Sequence, residues 1–365
     1  MRVRGTAHVV LAFDLGFEID LARAAARLGV ARGAEAFRHK RGAPEDPLEV
    51  RRPLRFTRPA APLDLGSHAG AARASADVLE IGLYPFGALD LVYALPLEGE
   101  LADLVATSAC LYDHAGLQQA ARREAHALLA SLGDAVREPH LAEAVEDYVI
   151  YHLEPTGMPV AALESDEREL LARILRAEPG PLSLHEVENA LEGRIAYGPD
   201  ELVLVDWFAA LLVGGDMEDE RRVLELCTVE LVELRFLDGR LERRLDEAYG
   251  LLARAQRPLF GLVANTREVE RLARFQADSA ILHENFDNAL KLLGDDYLAR
   301  LYELASGRFH FSAWDAAVER KLATLENIYS KISDLAARRR AELLEWIIIA
   351  LFVVDIVLYF LPGKG

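Results

Sequence analysis

Trp346, Ile347, Ile348, Ile349, Ala350, Leu351, Phe352, Val353, Val354, Asp355, Ile356, Val357, Leu358, Tyr359, Phe360 and Leu361 form a run with a single charge, followed by Pro362-Gly363-Lys364-Gly365. As a helix these sixteen residues rise about 24 Å, and starting at Leu343 adds one turn towards the roughly 30 Å of a bilayer core. Their large apolar side chains favour insertion by about 5 kcal/mol together, and a charged Asp355 opposes it by about 3 kcal/mol. The expectation is one C-terminal transmembrane helix over 343–361 with a short tail at 362–365. Arg338, Arg339 and Arg340 precede the run and only Lys364 follows it. The bias of basic residues to the cytoplasmic side then keeps the rest of the chain in the cytoplasm. Trp346 and Tyr359 fall near the two ends, where amphipathic rings favour the interface.

Upstream, the chain reads as α+β. Residues 6–13 are strand-like and 19–29 helical, while 31–76 form a long Arg-, Pro- and Gly-rich loop with one strand at 53–57. Strands at 77–84 and 88–95 flank a Pro85-Phe86-Gly87 turn. Helices follow at 99–112, 115–132 and 165–177, with strands at 146–153 and 200–206. Residues 1–215 therefore make a cytoplasmic mixed α/β domain. Beyond it, Leu224, Cys227, Leu231, Leu234, Asp238, Leu241, Leu245 and Ala248 recur every three or four residues. Val318, Leu322, Leu325, Tyr329, Ile332, Ala336, Arg339, Leu343 and Trp346 repeat the pattern. Two such seams predict a coiled-coil-like helical stalk over 216–342 that runs into the anchor.

The net charge is −18. It argues against a general nucleic-acid binder, whose affinity rests on neutralising phosphates. Residues 1–60 nevertheless carry about +5. Within their loop, Arg38, Lys40, Arg41, Arg51, Arg52 and Arg55 could meet anionic headgroups or ribosomal RNA, although solvated loop charge is the more common use of such residues. Two cysteines cannot build a disulfide framework or a zinc cluster, and they fit a reducing compartment. No signal-peptide core precedes the first strand, so membrane delivery is expected to rest on the C-terminal helix. The chain has no Walker loop, HExxH or GxSxG, and its ten histidines are scattered. No motif marks a catalytic, metal or cofactor site. Asp238 and Arg339 interrupt the two seams, and pairing them would relieve both; the plainer reading is a seam open to solvent there. Asp355 at mid-membrane is either protonated and tolerated, set against a water-filled space, or set against a polar group across a helix interface. With one span per chain the last requires another chain, so self-association through the anchor is one expectation beside a protonated, lipid-facing Asp.

Glu225 to Asp238 (Glu-Leu-Cys-Thr-Val-Glu-Leu-Val-Glu-Leu-Arg-Phe-Leu-Asp), Leu344-Glu345-Trp346-Ile347-Ile348-Ile349 and Asp200 to Ala209 resemble motifs of the YagE-like family. In eukaryotes its members are the "required for meiotic nuclear division" proteins. The resemblance implies an inner-membrane homo-oligomer that holds ribosomes near the membrane, with Glu345, Trp346 and Asp355 in its membrane and oligomerisation segment. Arg235 and Asp238 fall in its long helix. Two departures stand out: Leu343 replaces the family's Arg before Leu-Glu-Trp, and Asp90 lies inside a strand that the family keeps apolar. An Arg-, Ala- and Leu-rich chain looks bacterial, which places the membrane as the inner one. The expected function is a non-enzymatic, tail-anchored, homo-oligomeric scaffold presenting its cytoplasmic domain to a partner such as the translation or division machinery. The alternative is an enzyme or small-ligand sensor with a motif-less pocket in the α+β domain.

Overall fold

The computed structural model describes residues 1–31, 53–66, 70–155, 159–255 and 296–360. Arg38, Lys40, Arg41, Arg51 and Arg52, on which most of the expected anionic-partner loop rests, lie outside the described residues. The chain divides into two compact units. The first is Met1–Phe236 with Asn285–Trp314, and the second Leu237–Glu284 with Asp315–Gly365.

Strict alternation in β1 (Arg2–Asp14) organises the first unit. Val3, Ala7, Val9, Leu11 and Phe13 enter one core, while Val10 and Ala12 enter cores on the opposite face. A strand with apolar side chains on both faces needs cover on both. β1 is accordingly central, paired antiparallel with β5 (Ala88–Glu100) on one side and β7 (Glu146–Leu153) on the other. β3 (Leu54–Pro59) and β4 (Val78–Leu83) extend the sheet beyond β5. On the other flank come β10 (Ala209–Val213), β9 (Leu202–Val205) and β8 (Arg194–Ile195). The eight-stranded sheet is mixed, since β10 runs parallel to β7 and the other pairs are antiparallel. β2 (Glu18–Ile19) and β6 (Val136–Arg137) form a separate two-stranded ribbon.

The turn joining β4 to β5 depends on Gly87, whose φ of +108° is poorly accessible to L side chains, and a Cβ there would overlap the backbone of Gly16. One sheet face is covered by α1 (Leu21–Leu28), α2 (Asp103–Leu111), α3 (Ala115–Leu132) and α5 (Arg168–Leu175), which follows α4 (Val160–Asp166). Asp20 caps α1 by accepting the Arg23 amide at 3.0 Å, and His114 caps α3 by accepting that of Leu117 at 3.2 Å. α6 (Leu184–Ala190) packs on α5 through Ala172, Val187 and Ala190. The opposite face is covered by the first half of α7 (Glu218–Ala255) and by α8 (Asp296–Arg308).

The expected seam in α7 thus has two different partners. Leu224, Cys227, Leu231 and Leu234 pack on the sheet, whereas in the second unit Leu241 and Ala248 meet Val318, Leu325, Ile328 and Ile332 of α9 (Phe311–Phe360). Asp238 pairs with Lys321 (Oδ1 to Nζ 2.8 Å), not with Arg339, which is half-buried further along α9.

The expected transmembrane anchor is corrected. Among the described residues no helix is long and apolar enough to cross a membrane. In α9 the apolar stretch with described side chains runs from Trp346 to Val357. Asp355 interrupts it. Glu342 and Glu345 precede it within two turns. The readings as a membrane protein, a tail-anchored protein and a single-pass protein of a bacterial inner membrane with a cytoplasmic N-terminal domain fall with it. Trp346, Leu351, Phe352 and their neighbours are exposed along this stretch, as are Glu345 and Asp355.

Candidate functional site

Two polar constellations interrupt the apolar core of the first unit. One is sealed, and the other opens into a cavity.

The sealed constellation lies between β3, β4, β5 and the start of α7. Strand alternation turns Arg55, Glu80 and Asp90 towards the helix, where Arg221, Arg222 and Glu225 meet them. Arg55 donates from Nη1 to Glu225 Oε2 at 2.7 Å and from Nη2 to Tyr84 Oη at 2.8 Å. Tyr84 in turn donates from Oη to Asp90 Oδ2 at 2.9 Å. Arg221 donates to the other Glu225 oxygen at 2.6 Å and to Glu80 at 3.0 Å, and Arg222 adds a bond to Glu225 at 3.1 Å. Burial pushes the Asp90 carboxyl up against the opposing pull of Arg55. The three guanidiniums face Glu80, Glu218 and Glu225, and Arg55 also lies 3.5 Å from Asp90. Burial also acts to raise Glu225, yet Arg55, Arg221 and Arg222 outweigh it and hold the carboxyl down at about 2. His8, beside them on β1, is lowered to about 3 by burial and then by Arg221, and so stays neutral. Every strong donor here is spent on a buried partner. Arg55, expected in a loop open to anions, is inside the protein with its side chain only 11% exposed. The role of this constellation is structural.

Glu225 carries a pH signature. Its pKa is depressed on folding, so its contribution is fully present above the ordinary value of 4.5 and lost as pH falls towards 2. We expect the stability difference between wild type and Glu225→Gln, read from urea midpoints, to shrink across that window. A difference independent of pH there would contradict the assignment.

The open constellation surrounds a cavity of about 260 Å³. Its walls come from the C-terminal end of α2 (Ser108, Tyr112, Asp113), the first residues of β7 (Glu146, Asp147, Tyr148), the β9–β10 turn (Trp207, Phe208) and α7 (Thr228, Leu231, Arg235). The turn is braced from below: Arg176 donates from Nε to Asp206 Oδ2 at 2.6 Å, and Tyr148 donates to the Asp206 carbonyl at 2.9 Å. Arg235 reaches across from α7 and donates from Nη1 to both Glu146 oxygens, at 2.6 and 2.9 Å. Its guanidinium also lies 5.6 Å from the Trp207 ring centroid and 5.5 Å from that of Trp314. Tyr112 and Phe208 meet edge-to-face at 5.2 Å at the rim. Two non-glycine residues of the lining, Asp113 and Ala177, have left-handed φ of 49° and 50°. Such backbone costs on the order of 1–3 kcal/mol and concentrates at functional sites. Burial raises the Asp147 carboxyl, and the neighbouring Asp113 charge adds to it; Glu146 is raised by burial against the pull of Arg235. Among the described residues no group of three or more His, Cys, Asp or Glu is placed to hold a metal ion.

Of the residues singled out from sequence, only Arg235 belongs to this cavity. Asp113, Glu146, Asp147 and Trp207 were not singled out. Their sequence signals are an acid at a helix-to-helix junction and an acidic pair opening an otherwise apolar strand.

The first unit is thus an α/β domain built on a large mixed sheet and followed by long helices. Residues 4–220, more than half of the chain, match the family model described as "Uncharacterized protein MJ0711, N-terminal domain". The chain belongs to that family. It is similar to the uncharacterized protein MJ0711 of the archaeon Methanocaldococcus jannaschii, with 25% identity over 217 residues, which are 59% of this chain and 66% of that protein. The matched region thus spans just under two thirds of the relative. No solved structure matches. These findings correct the resemblance to the YagE-like family and the reading as its bacterial member. The motifs behind that resemblance lie mostly after residue 200, whereas the family match lies in the sheet domain. The pattern from Glu225 to Asp238 has its own cause in α7. Leu224, Cys227 and Leu231 pack on one core, and Leu226, Val229 and Val232 on another.

Proposed function

We propose that the α/β domain is a non-catalytic binding module for a small molecule, held in the cavity between α2, the start of β7 and the Trp207-Phe208 turn. The observation that carries this reading is the character of the lining. Aromatic walls, partly buried carboxylates and two strained backbone positions converge on one open space, the pattern of a ligand pocket. In the sealed constellation, by contrast, Arg55, Arg221 and Arg222 all bond the buried Glu225. Saturation-transfer NMR on the full chain, with fragments of positive, neutral and negative charge, tests it. Several fragments are expected to bind and to compete for one site that Trp207→Ala weakens. A set with no mutually competing binders at about 1 mM would contradict it.

A second reading, a self-associating scaffold presenting this domain to a partner, is favoured by the exposed apolar residues of α9. Leu343, Leu344 and the apolar run from Trp346 to Val354, parted only by Glu345, are exposed together, far more than scattered surface hydrophobes explain. On this reading the full chain elutes well above its monomer mass of 40.4 kDa in light-scattering chromatography, and a chain ending at residue 342 elutes as a monomer. A monodisperse 40.4 kDa species from the full chain would dispose of the scaffold.

A further inference from the structure

We infer that the ligand of this cavity is a small primary ammonium ion carrying an apolar, preferably aromatic, body; the inference rests on the cavity being a ligand site. Asp113, Glu146 and Asp147 all line the space, and Arg235 is the one basic side chain among the lining residues. Arg235 is largely committed: Nη1 holds Glu146 through both oxygens and the guanidinium lies near the rings of Trp207 and Trp314, while its buried Nε is left as a donor without an acceptor. Glu146 is thus the acid that Arg235 holds, which leaves Asp113 and Asp147 as the two acids of the lining not bonded to it. An anionic ligand would meet two carboxylates and no free cation. A neutral one would leave their mutual repulsion in place.

The polar partners of these two acids do not remove their charge. Asp113 accepts from the Gln118 side-chain amide at 2.8 Å; burial and then the Asp113 charge raise the Asp147 carboxyl, and the backbone amides of Asp147 and Asp113 only partly offset them. Neutral donors orient a carboxylate without cancelling it, whereas an ammonium ion offers three donors and a full positive charge. The remaining walls suit the rest of such a molecule. Tyr112 is 53% and Phe208 36% exposed, high for large aromatic side chains at the mouth of a cavity. Aromatic faces attract a cation held within about 6 Å of the ring. Phe208 and Trp207 also offer a flat surface to an apolar body.

Isothermal titration of the full chain with phenethylamine, its neutral isostere phenethyl alcohol and the anion 3-phenylpropionate tests the inference. Phenethylamine is expected to bind at least tenfold more tightly than either of the others. Asp113→Asn and Asp147→Asn should each weaken it by about tenfold, the factor that corresponds to 1.4 kcal/mol. Asp113→Asn protects against a folding artefact, because Asn tolerates the left-handed backbone that Asp113 adopts. If the alcohol or the propionate binds as tightly as the amine, the cationic ligand is wrong while the cavity remains a ligand site. If none of the three binds up to about 10 mM, the inference fails, and the fragment experiment decides separately whether the cavity reading fails with it.

Discussion

Arg55→Met is expected to destabilise the α/β domain by about 3–5 kcal/mol, the cost of removing one partner from a buried ionic network. Methionine keeps the unbranched apolar stem of arginine and omits the guanidinium, so the loss is chiefly that of the charge and its hydrogen bonds. Without the guanidinium, Glu225 keeps Arg221 and Arg222 but loses its 2.7 Å donor, and the Tyr84–Asp90 pair loses the cation that bonds Tyr84 and lies 3.5 Å from Asp90. A domain of ordinary stability holds about 5–15 kcal/mol, so the variant should unfold at a much lower urea concentration. Arg55→Lys should recover little, since one ammonium cannot reach Glu225 and Tyr84 with the two arms of a fork. Arg58 on the same strand makes the control. It pairs with Glu124 at 3.5 Å with both side chains more than a third exposed, and Arg58→Met should cost less than about 1 kcal/mol. Equal urea midpoints for the Arg55 and Arg58 variants would refute the structural role given to the network.

Gly82→Ala should be almost as damaging, for a steric reason that reaches the same network. Gly82 stands directly opposite Asp90 in the antiparallel β4–β5 pair. A Cβ on Gly82 would overlap the Asp90 carboxylate, which occupies the space that the missing side chain leaves. Overpacking a well-filled site costs about 1–3 kcal/mol, and here the displaced group is an anchored, fully buried acid that cannot swing into solvent. Adding Asp90→Ala removes the obstacle. The double variant should then be more stable than the two single losses added together, with a coupling energy of at least about 1 kcal/mol. Strict additivity in that cycle would mean that the close approach of Gly82 to Asp90 is not what fixes glycine there.

Much of the sheet domain is legible in the sequence because period-two apolar patterns and turn residues are local signals. The strand at 146–153 and the helix at 115–132 appear with the limits expected of them, and Pro85-Phe86-Gly87 does turn β4 into β5. β10 is less visible, because Ala209-Ala210-Leu211-Leu212-Val213 is uniformly apolar and lacks alternation. Asp90 stands out as an acid in an apolar strand. Its explanation, however, is Arg55 on β3 and Glu225 on α7, and nothing local ties residues 170 positions apart. The cavity is hidden for the same reason: Asp113, Asp147, Trp207 and Arg235 come from four elements that only the sheet and α7 bring together. The tail misleads in the opposite way. Its apolar run is real, but Glu342, Glu345 and Asp355 place charge before and within it, and no described helix is long and apolar enough to cross a bilayer.

The central claim is that the cavity beside Asp113 and Asp147 accepts an organic cation, and a crystal structure of the full chain soaked in phenethylamine tests it most directly. The account predicts the amine nitrogen within about 3 Å of the Asp113 and Asp147 carboxylates, and the ring lying against Phe208. Density for the amine elsewhere on the surface, with this cavity empty at a saturating concentration, would contradict it.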